Sequence, residues 1–221
     1  APVDHPAAHH RGPVPLRLLT CMDIGVPVRN FGKVEMEALG AAILAQDEAA
    51  WNENVQRQKD YEVHEQTRSI VLLFANVEDW PAIEVSKQPG WDRLSKVAVP
   101  VMHQIIRNWY PPGGTIIRAM AAKLLKGGRI IPHRDSHPSF GAGHRIHVPI
   151  ITNPRVRFMI DGRPYQLQVG EAYEINNQKV HSVMNKGDAD RINFIFDYLP
   201  PGAIPGRVAS PAASEARPPG S

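Results

Sequence analysis

The sequence predicts a mostly β fold with flanking helices, built as a double-stranded β-helix, or jelly roll. Three observations predict it. The second half of the 221-residue chain is a succession of short β-rich runs. Turn signals of the kind "KGG", "SFGAG", "DGR", "VGE" and "NKGDAD" separate those runs at short intervals, the pattern of a sandwich or barrel. The first half is mixed, with two stretches of helical spacing around one apolar strand.

In chain order, residues 1–15 are rich in Pro, Ala and His, show no periodicity and read as a disordered arm. "VEMEALGAAILAQDEAAWNENV" (34–55) carries Met36, Leu39, Ile43, Leu44 and Trp51 at helical spacing. "TRSIVLLFA" (67–75) is a short apolar strand. "WDRLSKVAVPVMHQIIRNWY" (91–110) reads as a helix in which Pro100 is a kink or an early break, and "PPGG" (111–114) stops it. Strands follow at 115–125, 145–152, 156–161, 164–169, 171–175, 181–185 and 191–199, with Asp161-Gly162 as a hairpin signal. Residues 200–221 form a Pro/Ala/Ser tail that reads as disordered. The expected organisation is one domain over 16–199, with the jelly-roll core at 115–199. The tryptophans Trp51, Trp80, Trp91 and Trp109 read as core or helix-packing residues.

Composition narrows the function classes. Hydrophobic residues make up 43% of the chain and the formal net charge is +3, with basic residues scattered rather than clustered, so a nucleic-acid patch is not expected. The single cysteine, Cys21, allows no intramolecular disulfide, which suits a reducing compartment. No apolar run reaches the roughly 20 residues that span a bilayer, and the N-terminal stretch lacks the apolar core of a secretory signal. The expected location is the cytoplasm, with no membrane partner.

The chemistry concentrates in "IIPHRDSHPSFGAGHRIHVPI" (130–150), which holds four of the ten histidines. In an extended segment residues i and i+2 point to one side, so His133 and Asp135 form a pair of N and O ligands for one metal. A third ligand has to come from an opposing strand, and His181, 48 residues on, is placed for it. Two His and one carboxylate make the facial triad of non-haem Fe(II) oxygenases, which leaves sites open for co-substrate and O2. The bland alternative is the polar rim of a metal-free sandwich, such as a sugar-binding module. Arg191 opens the last strand ten residues after His181. A buried arginine there needs an anion, and its planar fork matches a carboxylate; a surface-strand arginine is the alternative. Arg145 and His147 share one face of the strand "RIHVPI", facing either a co-substrate or solvent. His137 and His144 flank the turn and read as loop residues. Arg118, His64 and Arg68 are weaker candidates for contacting substrate.

Together "PHRDSHPSFGAGHRIHVPI" and "GEAYEINNQKVHSVMNKGDADRINFIFDYL" resemble the aspartyl/asparaginyl β-hydroxylase family of Fe(II)/2-oxoglutarate oxygenases, over roughly residues 115–199. The elements match in order: proximal His motif, Arg-x-His strand, Gly-Glu turn, distal His and an Arg ten residues on. The resemblance implies Fe(II) at His133 and His181, with 2-oxoglutarate as co-substrate held by Arg145, His147 and Arg191. It also implies O2 consumption with release of succinate and CO2, and hydroxylation of an amino acid or of an amino-acid residue in a peptide or carrier-bound intermediate. Two positions depart from the pattern. Animal members have Gly where this chain has Asp135, so it looks more like the bacterial branch with a full triad. Those members also use a Ser on the strand before the proximal His, and by spacing that position falls near Ala122, which has no hydroxyl. Asp135 favours hydroxylation over halogenation, because related halogenases keep a small residue there. A demethylase of alkylated bases would carry a second Arg six residues after the first, where this chain has Asp197. A non-catalytic cupin-like ligand-binding module is the reading without an enzyme.

Overall fold

Eleven strands and four helices account for residues 23–53 and 66–203, the residues that the computed structural model describes. In chain order they are β1 (Val28–Lys33), α1 (Glu37–Leu44), α2 (Glu48–Asn52), β2 (Thr67–Asn76), β3 (Glu84–Lys87), α3 (Pro89–Trp109), β4 (Thr115–Leu124), β5 (Arg129–His133), α4 (Pro138–Ala142), β6 (His144–Ile151), β7 (Val156–Ile160), β8 (Arg163–Tyr165), β9 (Glu171–Ile175), β10 (His181–Asn185) and β11 (Arg191–Leu199). The expected arm at 1–15, Cys21, His64 and nearly all of the tail lie outside the described residues.

The strands form two sheets. The larger has the order β1-β9-β6-β11-β4-β2-β3 and the smaller β5-β10-β7-β8, with antiparallel pairing throughout. Three layers result. Helices α1 to α3 pack on one face of the large sheet through a core that includes Leu39, Ile43, Leu94, Met102, Ile105, Phe194 and Phe196. The other face meets the small sheet through Leu124, Phe158, Ile160, Leu167, Tyr173, Ile175 and Val183.

Strand β11 shows how sequence dictates this arrangement. Side chains alternate along a strand. Ile192, Phe194, Phe196 and Tyr198 therefore enter the helix-side core, and each such burial contributes roughly 1.5–3 kcal/mol. Arg191, Asn193, Ile195 and Asp197 point the other way, into the space between the sheets. Arg191, Asn193 and Asp197 are all buried, so a polar row runs along the interior of the jelly roll.

Several local expectations need correction. The expected helix at 34–55 is two helices, because the Asp47 side chain accepts from the Ala50 N–H (2.8 Å) and starts α2 afresh. Pro100 does not break α3, which runs unbroken from Pro89. Pro100 and Lys96, whose carbonyl the proline leaves without its helical donor, are both exposed, so water can take the donor's place. Strand β8 ends at Tyr165 rather than 169, since the chain turns Leu167 into the inter-sheet core. The turn "SFGAG" is the short helix α4, started by the His137 ring Nδ1 accepting from the Ser139 N–H (3.1 Å). Trp109 is no core residue; it is 49% exposed and stacks on Phe31. The Asp161-Gly162 hairpin stands as expected, with both residues at positive φ (50° and 74°). No described helix is long and apolar enough to cross a membrane.

Candidate active site

Antiparallel pairing of β10 with β5 sets His181 directly opposite His133. Their rings lie 4.3 Å apart between centroids. Asp135 follows in the loop after β5, where its N–H donates to the Asn177 carbonyl (3.2 Å). One ligand atom from each of His133, Asp135 and His181 lies within 4.8 Å of the others. Each histidine Nδ1 meets a backbone carbonyl, Ile131 for His133 (2.8 Å) and Lys179 for His181 (3.0 Å). Those contacts fix the proton on Nδ1 and leave Nε2 as the free donor atom, the orientation that metal-ligating histidines adopt. Burial is the largest influence on His181 and lowers its pKa despite the opposing effect of Asp135, which keeps the ring neutral and able to ligate. Two imidazoles and one carboxylate converging on a point fit Fe(II).

Beside this triangle a cleft with about 80 Å³ of internal space opens between the sheets, lined by Ser69, Ala122, Ile130, His147, Phe158 and Arg191 among others. Arg191 is 6% exposed. Among the described residues no carboxylate lies within ion-pair distance of it. Burial alone pulls its pKa from 12.5 down to about 10. Its guanidinium carbon sits 5.5 Å from the centre of the Phe158 ring. The Asn193 amide oxygen accepts from Arg191 Nη2 (2.7 Å) and from His147 Nδ1 (3.1 Å), while the amide nitrogen donates to the Ile192 carbonyl (3.1 Å). His147 is buried, and desolvation, aided by the charges of Arg191, Arg145 and His181, holds its pKa well below 6.5.

Arg145 lines the same cleft, with its guanidinium held by two carboxylates. Its Nε and Nη2 donate to the two oxygens of Asp197 (2.8 and 2.9 Å), and its Nη1 donates to Asp135 Oδ2 (2.5 Å). Burial works against the charge, but Asp135 and Asp197 outweigh it and the Arg145 pKa rises. Arg118 does not line the cleft: its guanidinium binds Asp197 Oδ2 (3.3 Å) and Ser139 Oγ (2.9 Å). Arg68 is among the residues lining the cleft, while its Nε donates to Asn52 Oδ1 of α2 (2.9 Å). His144 is a strand residue rather than a loop residue, hydrogen-bonded to the buried carboxylate of Glu174.

The sequence reading passed over Ser69. It pairs with Ala122 across β2 and β4, and Ala122 pairs in turn with Asn193 of β11, so the three share one row. The Ser69 hydroxyl is buried with no hydrogen-bond partner among the described residues. The signal available in sequence was the lone polar residue in "SIVLLFA", but nothing local shows which strand lies beside β4.

A family model described as Aspartyl/Asparaginyl beta-hydroxylase matches residues 28–201. The chain belongs to that family. The protein is accordingly a 2-oxoglutarate-dependent oxygenase, with Fe(II) and 2-oxoglutarate as its cofactors. Solved structures are similar to the chain at low identity. The carbocyclase SnoK from nogalamycin biosynthesis, described as non-heme and alpha ketoglutarate dependent, is 12% identical with a TM-score of 0.51 over 79% of each chain. A 2OG-Fe(II) oxygenase family oxidoreductase from Burkholderia pseudomallei is 13% identical, TM-score 0.48, over 75% of this chain and 90% of that one. HygX from Streptomyces hygroscopicus, solved with nickel, 2-oxoglutarate and hygromycin B bound, is 12% identical, TM-score 0.47, over 80% and 84%. No curated protein matches the chain.

Proposed function

We propose that the protein hydroxylates an amino acid, free or as a residue in a peptide or carrier-bound intermediate, with release of succinate and CO2. The observation that carries the co-substrate half of this reading is Arg191, a buried cation without a carboxylate partner among the described residues, in the cleft beside the triangle of His133, Asp135 and His181. The substrate half rests on the family.

His133 and His181 would hold iron through Nε2 and Asp135 through one oxygen. Iron with 2-oxoglutarate and O2 supplies the oxidising chemistry. Every other task falls to the protein. Arg191 would take the far carboxylate of 2-oxoglutarate, which supplies the counter-charge that its burial makes valuable. Ser69 would donate its spare hydroxyl to the same carboxylate, in place of the serine that Ala122 lacks. His147 has its Nδ1 proton committed to Asn193, so it would meet an anion only by taking up a proton as the anion arrives. Phe158 and Ile130 line the cleft with apolar surface, which strengthens each polar contact made there.

The test is anaerobic reconstitution with Fe(II) and 2-oxoglutarate, followed by O2. A weak visible charge-transfer band that His133→Ala and Asp135→Ala abolish, together with succinate formation, is the expected outcome. Product mass raised by one oxygen from labelled O2, on an amino-acid or peptide substrate, establishes hydroxylation. Neither band nor succinate from the wild-type protein would refute the reading.

A further inference from the structure

Arg118 of β4, Asp197 of β11 and Arg145 of β6 occupy one row across three neighbouring strands, since Asp197 pairs with Arg118 on one side and Arg145 on the other. Their charges alternate, and the row ends on Asp135 at the candidate metal site. Asp197 accepts both the Nε and Nη2 protons of Arg145 and one bond from Arg118. Its carboxyl is fully desolvated, which alone would raise its pKa; the two arginines reverse that and keep it ionised. The Phe140 ring lies 4.4 Å from the Arg118 guanidinium carbon and 4.6 Å from that of Arg145. Ser139, beside it on α4, accepts from Arg118 (2.9 Å).

This arrangement leaves Arg145 little freedom. Two of its nitrogens are held by Asp197, and the third can reach only what lies at Asp135 Oδ2. Asp135 Oδ1 faces His133 Nε2 at 3.9 Å. One oxygen of the carboxylate is therefore pinned and the other is presented toward the histidines. Two Arg and two Asp sum to zero charge, so recruiting Arg145 to a further carboxylate would break a balanced, buried set.

We propose that Asp197 is a positioning residue for the metal, acting through Arg145 to lock Asp135 as a single-oxygen ligand, and that Arg145 is thereby withheld from the co-substrate. This rests on the metal site assigned under the proposed function. A chain that gains a carboxylate ligand at position 135 has a use for the arginine of the Arg-x-His strand that a chain with glycine there lacks.

The experiment uses the full chain without O2 chemistry. The apoprotein is titrated calorimetrically with Mn(II), and then, at saturating Mn(II), with 2-oxoglutarate. Asp197→Asn and Arg145→Gln are expected to weaken Mn(II) binding about 10–100-fold, the usual effect of losing a group that orients a ligand, while 2-oxoglutarate affinity at saturating metal stays within about threefold. Unchanged Mn(II) affinity with weakened 2-oxoglutarate binding overturns the proposal and returns Arg145 to the co-substrate. The double variant Arg118→Met/Asp197→Asn removes one charge of each sign and leaves the Arg145–Asp135 pair. It keeps the test decisive if a single variant fails to fold, and it too is expected to bind Mn(II) more weakly. Asp135→Ala separates the two readings: if it binds Mn(II) as tightly as wild type, the metal site itself is misassigned.

Discussion

Replacing Arg191 with methionine should stabilise the apoprotein while removing its response to 2-oxoglutarate. The cost of the native residue follows from its surroundings. Burial lowers its pKa from 12.5 to about 10. A base whose folded pKa is depressed costs nothing above 12.5, costs more as the pH falls to 10, and bears the full penalty at neutral pH. At about 1.4 kcal/mol per tenfold, that penalty is about 3 kcal/mol. The hydrogen bond to Asn193 and the Phe158 ring return roughly 1–2 kcal/mol. Methionine fills similar volume without charge, and Asn193 keeps His147 as a donor. The net gain for Arg191→Met is therefore about 1–2 kcal/mol, or roughly 3–6 °C in melting temperature for a domain of this size. A ligand at a thousandfold excess over its Kd adds about 4 kcal/mol, and only the wild type should receive it. Melting curves with constant Mn(II), with and without 2-oxoglutarate, should therefore show the variant higher without co-substrate and the wild type higher with it. A variant that melts lower in both conditions, or that keeps the 2-oxoglutarate shift, would show Arg191 to be a structural residue.

Three further outcomes follow from the geometry. Ser69→Ala removes a buried hydroxyl that has no hydrogen-bond partner among the described residues; it should not lower thermal stability and should weaken 2-oxoglutarate binding by about 1 kcal/mol, roughly fivefold, in calorimetry at saturating metal. His147, whose pKa burial and neighbouring charges hold well below 6.5, stays neutral when folded but protonates when unfolded, so stability should fall below pH 6.5 by up to about 1.4 kcal/mol per pH unit from this group; denaturant melts of the apoprotein from pH 7 to pH 5 should show a shallower slope in His147→Asn. Phe158→Ala empties a 3%-exposed site between the sheets and should cost about 3–5 kcal/mol in a urea titration, with a retained midpoint refuting its place in the inter-sheet core.

The second half of the fold was legible because its strands carry a period-2 pattern and its turns use Gly and Asp where positive φ is needed, as at Asp161 and Gly162. The first half was less legible for identifiable reasons. Strands β1 and β3 lie at the two edges of the large sheet, and their sequences, "VRNFGK" and "EVSK", have too few apolar residues to stand out. The break between α1 and α2 depends on one Asp47 side-chain bond inside an otherwise continuous helical spacing. The triangle of His133, Asp135 and His181 was legible because the first two are close in sequence and His181, 48 residues on, was expected on an opposing strand. Ser69 was not, because its relation to Ala122 exists only through the pairing of β2 with β4.

Arg145 and Arg191 show where residue type stops being informative. Both stand on strands of one sheet and point between the same two sheets, Arg191 buried and Arg145 partly so, and the family pattern gives both to the co-substrate. What separates them is the count of carboxylates within reach: Asp135 and Asp197 for Arg145, none among the described residues for Arg191. An arginine already neutralised by two anions gains little from a third, whereas one held without an anion gains the whole of its desolvation cost when an anion arrives. The same reasoning explains Asp197, which sits where a base-repair oxygenase would carry a second arginine. An acid at that position neutralises Arg145 and Arg118 together, and so leaves Arg191 as the arginine of this inner face with charge to spare. A cleft with one arginine left unneutralised would hold one carboxylate through it, and that number would follow from where the acids are placed, not from how many arginines line the sheet.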